Sequence, residues 1–164
     1  MKNLLKKIKK VHYCYSELND NLTDQKSIFG RNLTDLCFQD YSPEYNGNIT
    51  DIIEQNKSTL KRLRLFTLGV NDPFLNNISV MKELNLTTVH LSWCPSITDV
   101  GIKNLCVNQK NIKDLRIRQC DGITDNAMKT IVENLIDLRV FAIEDSSHIN
   151  NVCLLCFLSS VRRT

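Results

Sequence analysis

The chain has 164 residues, about one domain's length on the usual scale of roughly 100–200 residues. Apolar residues make up 42% and charged residues 24%, so the chain can bury a core and wholesale disorder is excluded. A net charge of +3 is far from that of a histone-like polyanion binder, and no apolar run approaches the roughly 18–20 residues that cross a bilayer.

Seven cysteines, at positions 14, 37, 94, 106, 120, 153 and 156, are an odd number. The start, Met1-Lys2-Asn3-Leu4-Leu5, runs straight into Lys6-Lys7 without the apolar stretch of a secretory signal. Both features predict free thiols in a reducing compartment, cytoplasmic or nuclear.

Along the chain an apolar frame returns every 25–27 residues. The Lys6, Lys7, Lys9 and Lys10 run reads as the solvated end of a terminal helix leading into the first strand. Ile8, Val11 and Tyr13 open a first unit, and Leu22-Thr23-Asp24 stands where its helix should start. Leu33, Leu36 and Phe38 open a second, with a late Ile49-Thr50-Asp51 at its expected helix start. Leu60, Leu63 and Leu65 open a third, in which Asn71-Asp72-Pro73 replaces Ile-Thr-Asp. The fourth (86–105) and fifth (112–131) match at every apolar position, at Cys94 and Cys120, and at Ile-Thr-Asp, with a constant offset of 26. A sixth follows with Leu138, Phe141, Ile143, Ile149, Leu154 and Phe157, where Ser146 replaces the cysteine. The best-formed repeats are 86–137; those over 8–85 and 138–160 are degenerate.

Each unit carries its own physical logic. Period-2 alternation at Val89 and Leu91 predicts a short strand with one buried face. Cys94 is small and readily buried, suited to a bend off that strand. Thr98-Asp99 offers side-chain oxygen to the orphan N–H groups of a helix start, and Ile102 and Leu105 share one helical face. One such unit cannot cover its apolar face, but stacked units can. The result is a curved α/β solenoid with parallel strands inside and helices outside, as a single domain over 1–164.

The pattern Leu-x-x-Leu-x-Leu-x-x-Cys-x-x-Ile-Thr-Asp-x-x-Ile-x-x-Leu, met at 86–105 and 112–131, resembles the cysteine-containing leucine-rich repeat. The resemblance implies a leucine-rich-repeat solenoid, a short horseshoe arc of about six repeats. This repeat subtype is similar to the substrate-binding region of F-box/leucine-rich-repeat proteins, receptors of cullin-type (SCF) ubiquitin ligases. It implies protein recognition and ubiquitin-dependent degradation of what is bound. The family's F-box, a helical segment ahead of the repeats, is not found here, so a Skp-type adaptor is expected only if an F-box lies outside this chain. The alternative is a stand-alone scaffold or regulatory repeat protein.

No catalytic constellation accompanies the repeats, and no enzyme activity or cofactor is expected. His90 and Cys94 fall on opposite sides of the strand frame, which argues against a Cys–His nucleophile pair. Cys153-Leu-Leu-Cys156 has only His148 nearby as a further ligand, so core thiols are expected rather than a metal site. The helix expected over 151–161 is apolar on most sides, which predicts a covered C-terminal edge or self-association.

The informative surface is the concave face, where residues alternating with the buried strand positions point. By register it carries Lys10, His12 and Cys14, then Asp35, Cys37 and Gln39, then Arg62, Arg64 and Phe66. Thr88, His90 and Ser92 follow with Trp93 beside them, then Asp114, Arg116 and Arg118, and finally Val140, Ala142 and Glu144. Arginine and tryptophan are enriched at binding hot spots, and arginine forks suit carboxylates and phosphates. Arg62, Arg64, Phe66, His90, Trp93, Arg116 and Arg118 are therefore the candidate partner-binding residues. The partner expected is a protein, bound through an acidic or phosphorylated segment, with no nucleic acid and no membrane span.

Overall fold

The computed structural model describes residues 9–14, 32–40 and 46–149. Six parallel strands form one open sheet in chain order: β1 (Lys10–Cys14), β2 (Asp35–Asp40), β3 (Arg62–Thr67), β4 (Thr88–Ser92), β5 (Asp114–Arg118) and β6 (Val140–Glu144). Helices α1 (Asn46–Asn56), α2 (Asp72–Ser79), α3 (Asp99–Asn108) and α4 (Asp125–Asn134) alternate with β2–β6. The architecture is the expected α/β solenoid arc.

The sequence offsets are the strand registers. Lys10 pairs with Asp35, Asp35 with Arg62, Arg62 with Thr88, Thr88 with Asp114 and Asp114 with Val140. Those steps are the 25, 27, 26, 26 and 26 read from the apolar frame. Parallel neighbours need a crossover, and here each helix supplies it while covering the apolar face of the sheet. Leu63, Leu65, Val89, Leu91, Leu115 and Ile117 face the helices and are buried. Ile102, Leu105, Ala127, Met128 and Ile131 meet them from α3 and α4.

Cys94 and Cys120 sit at the bend, fully buried, and each thiol donates to a strand-end carbonyl, Ser92 O and Arg118 O, both at 3.3 Å. They stack in consecutive turns as free thiols. A hydrogen bond with Cys120, together with burial, raises the Cys94 pKa, and burial pushes the Cys106 thiol up to about 12. Buried thiols held protonated in this way are poor nucleophiles.

Two expectations change. Ile49-Thr50-Asp51 does not start the second unit's helix; it lies inside α1, which begins at Asn46. Asn71-Asp72-Pro73 is not a lost helix start. The third unit reaches its helix one residue sooner, so Asn71 takes the place of Thr98 and caps α2 by accepting from Phe74 N at 2.9 Å, with Pro73 in the first turn, where its missing N–H costs nothing. Thr98-Asp99 starts α3 as expected, with Thr98 as the cap and Asp99 in the first turn. Thr98 and Thr124 are the N-caps of α3 and α4, accepting from Val100 N and Asn126 N.

Aspartates of the helix starts also link neighbouring turns. The Thr98 N–H and hydroxyl donate to the two carboxylate oxygens of Asp72, at 2.8 and 2.6 Å. Thr124 donates to Asp99 in the same way, at 2.8 and 2.6 Å. Each rung satisfies an orphan N–H at a helix start with a charged acceptor from the turn before, which is the stronger class of hydrogen bond. A second pair of rungs is buried at the other end of the helices. Asn56 accepts from Leu33 N and donates to Ile52 O, and Gln109 accepts from Leu86 N and donates to Ser79 O.

The expectations for Leu22-Thr23-Asp24, for the start of the Lys run, for Cys153 and Cys156, and for the apolar helix over 151–161 fall outside the described residues. Among the described residues no helix is long and apolar enough to cross a membrane.

Candidate functional site

The concave face is built by the strand residues that alternate with the core positions. One row crosses the sheet through Cys37, Arg64, His90, Arg116 and Ala142, each paired with the next by register. A second row runs through Gln39, Phe66, Ser92, Arg118 and Glu144. Between them Phe66, His90, Ser92, Arg116, Arg118 and Glu144, with Ala142 and Ile117, line a recess of ≈ 170 Å³. A dry cavity of about 150 Å³ takes a benzene ring, so this recess has room for one medium-sized side chain.

Four of the seven candidate residues thus converge on one recess: Phe66, His90, Arg116 and Arg118. Arg62, Arg64 and Trp93 do not line it. Arg62 reaches the other way, to Asp35, with both carboxylate oxygens engaged and Nη2–Oδ2 at 2.5 Å. This fork holds the Asp35 carboxyl below its ordinary pKa, and it leaves Asp35 buried on what was expected to be an open face. Cys37 is buried as well, so β2 is covered on both sides. Trp93 lies just past β4, 45% exposed, with φ of 60°. The equivalent Gln119 and Asp145 share that left-handed conformation. It costs an L-residue about 1–2 kcal/mol, and a bulky aromatic rarely adopts it.

The arginines differ in their partners. Arg116 forks onto Asp114 of its own strand, at 3.0 and 3.4 Å. Arg118 stands 3.3 Å from Asp145 and 3.7 Å from Glu144. Arg64 makes no ion pair among the described residues, and its half-buried side chain leaves Nε without an acceptor. The carboxylates that claim the other arginines carry a sequence signal: Asp35 stands opposite Arg62 in register, and Asp114 shares a face with Arg116.

His90 sits between Arg64 and Arg116, with Nε2 3.4 Å from Asp114 Oδ1. Burial lowers its pKa; the Asp114 carboxylate works against this, and the charges of Arg116 and Arg64 add to it. The imidazole is therefore neutral at pH 7. The unfolded chain takes up this proton near pH 6.5 and the folded chain only at lower pH, so stability is full above about 6.5 and falls as the solution is acidified. His90→Gln is expected to make the decline in urea midpoint between pH 7 and 5 shallower. An unchanged slope would place the titration elsewhere.

Leucine-rich-repeat proteins are typically interaction modules rather than catalysts, and the solenoid has that form. Comparison with family models matches the leucine-rich repeat over residues 83–106, a span that contains β4, the Cys94 bend and most of α3, and so one turn of this solenoid.

Proposed function

We propose that this chain is a protein-recognition module, one domain over 1–164, that receives an acidic or phosphorylated segment of a partner on its concave face. The observation that carries the reading is Arg64. Among the described residues every other concave arginine has a carboxylate within 3.7 Å, whereas Arg64 keeps a buried Nε–H with no acceptor. An unsatisfied buried donor costs about 1–3 kcal/mol, which a partner's carboxylate or phosphate would recover on binding. The adjoining recess supplies the apolar half of the contact, through Phe66 and Ala142. Trp93, exposed and held in a strained backbone conformation, extends the candidate surface past the end of β4.

In its finer form the reading is substrate recognition for a cullin-type ubiquitin ligase. It rests on the resemblance of the 86–137 repeats to the cysteine-containing repeats of F-box receptors. A Skp-type adaptor enters only through an F-box segment outside this chain.

Arg64→Glu is the test. Partners captured by the wild-type chain and identified by mass spectrometry should be lost with Arg64→Glu, at about 10-fold lower affinity for a purified one. Unchanged affinity would remove the concave face from the reading. A captured partner that accumulates when the chain is depleted supports the ubiquitin reading. A partner whose lifetime does not change makes the chain a scaffold.

A further inference from the structure

The two long rims of the arc carry opposite charge. Between strand ends and helix starts lie Asp72, Asp99, Asp121, Asp125 and Asp145, and no lysine or arginine falls in 67–72, 93–99, 119–125 or 145–149. The opposite rim, where helices end and strands begin, is net basic, with Lys9, Lys57, Lys61, Lys82, Lys110, Lys113 and Arg139 against Glu83 and Asp137. Part of this follows from the fold. Aspartates at helix starts, and Lys57, Lys82 and Lys110 just beyond helix ends, complement the helix dipoles.

Four cations on the basic rim have no such explanation. Lys9, Lys61, Lys113 and Arg139 each stand one residue before a strand, β1, β3, β5 and β6. The carbonyls of Lys9, Lys61 and Lys113 accept from the Thr34, Thr87 and Arg139 N–H groups among others, and Arg139 is held through its own N–H, so all four backbone positions are fixed. Lys9 and Lys61 reach only the backbone carbonyls of Asn32 and Asn85, at 3.4 and 3.3 Å. None of the four forms an ion pair among the described residues. Lys9, Lys113 and Arg139 are exposed, and Lys61 is half-buried.

The spacing gives the ligand its form. Neighbouring strands lie about 4.8 Å apart, so Lys9 to Lys61 and Lys61 to Lys113, two strands each, are steps of about 10 Å. A polyproline II segment, with three residues per turn and a rise of about 3.1 Å, returns every third side chain to the same face after about 9 Å and so matches such a step. We propose that the rim carrying Lys9, Lys61 and Lys113 docks an acidic protein segment in the polyproline II conformation that crosses the strands, with a carboxylate at every third residue and with Arg139, one strand beyond Lys113, reaching its far end. This goes beyond the concave-face reading and uses none of its residues.

The probes are two labelled 12-residue peptides of Ser, Gly and four Glu, one with Glu at every third position and one with the four Glu contiguous, and a 12-nucleotide oligo-dT. Anisotropy titrations of the full chain at low salt should show the spaced peptide binding about 10-fold tighter than the contiguous one. Lys61→Glu/Lys113→Glu/Arg139→Glu should lose that binding, and Arg64→Glu should keep it. The corresponding triple glutamine variant, with an unchanged melting curve, should lose most of it too. Equal affinity for the two peptides, binding unaffected by the triple variants, or binding of oligo-dT alone would overturn the proposal. Loss with Arg64→Glu but not with the rim variants would place the peptide on the concave face, which overturns the rim and leaves the concave reading standing.

Discussion

Gly122→Ala is expected to cost about 3 kcal/mol, the upper end for forced overpacking, and to lower the melting temperature by about 6–12 °C in a chain of this length. Gly122 needs no unusual backbone angle, since no glycine among the described residues has a positive φ. What it needs is space. A Cβ there would approach the Ile97 carbonyl oxygen closer than the 3.0 Å that real Cβ atoms respect, and would lie 3.2 Å from its carbon and 3.4 Å from Thr98 Cγ2. The first two obstacles are backbone of the preceding turn, tied down because Ile97 N–H donates to Cys94 O and Thr98 is held by Asp72. Neither can rotate away, so relief requires opening the stack between turns. Thermal unfolding followed by circular dichroism measures the shift. A Gly122→Ala protein melting within 2 °C of wild type would mean the turns slide freely over one another.

That contact follows from regularity the sequence displays openly. The strand registers could be read residue by residue, because a buried face tolerates no one-residue slip and Leu63, Val89 and Leu115 each mark it. What hid the third unit's helix was a connection shorter by one residue. Aligned at a fixed offset, Asn71 falls opposite Ile97, and its capping chemistry looks lost; aligned by structure, it falls opposite Thr98. The second role of the aspartate following each cap was hidden for a related reason. The Thr98-Asp99 start of α3 is visible within one unit, whereas Thr124, which donates to Asp99, lies 25 residues on. Interactions between turns are visible only once the turns are stacked.

The concave face was legible in the same partial way. Alternation identified which side chains leave the core, and four of the seven candidates line one recess. Alternation does not show how charges pair across strands. Asp35 opposite Arg62 and Asp114 on the face of Arg116 turn two free cations into internal forks, and they leave Arg64 as the arginine with an open donor. Opposite charges directly across a parallel pair contribute roughly 0.2–1 kcal/mol, a signal that the register made available. Trp93 also escaped it, because a left-handed residue just past a strand breaks the alternation that would have placed it.

Gly101→Ala is expected to change sign with the residue at position 72. In α3 a glycine costs about 1 kcal/mol relative to alanine, so the exchange should stabilise an ordinary helix by that amount. Here the new Cβ would collide with Asp72 Oδ1, and it would also come within 3.1 Å of Leu75 Cδ1, the movable end of a side chain. Asp72 cannot withdraw without releasing Thr98, whose N–H and hydroxyl it accepts at 2.8 and 2.6 Å. Losing hydrogen bonds to a charged group costs about 1.5–3 kcal/mol, which outweighs the helical gain, so Gly101→Ala alone should destabilise by about 1–2 kcal/mol. Asp72→Ala alone should lose the rung. Adding Gly101→Ala to Asp72→Ala should then recover about 1 kcal/mol, because the obstacle is gone and only the helical preference remains. Urea unfolding of the four proteins yields a coupling of about 2–3 kcal/mol if the glycine exists to admit the aspartate of the preceding turn. Additive effects would mean that Asp72 shifts without cost and that the ladder does not bind the turns together. The same carboxylate would then be one more surface charge, and the regular Thr-Asp pairs would be helix caps and nothing more.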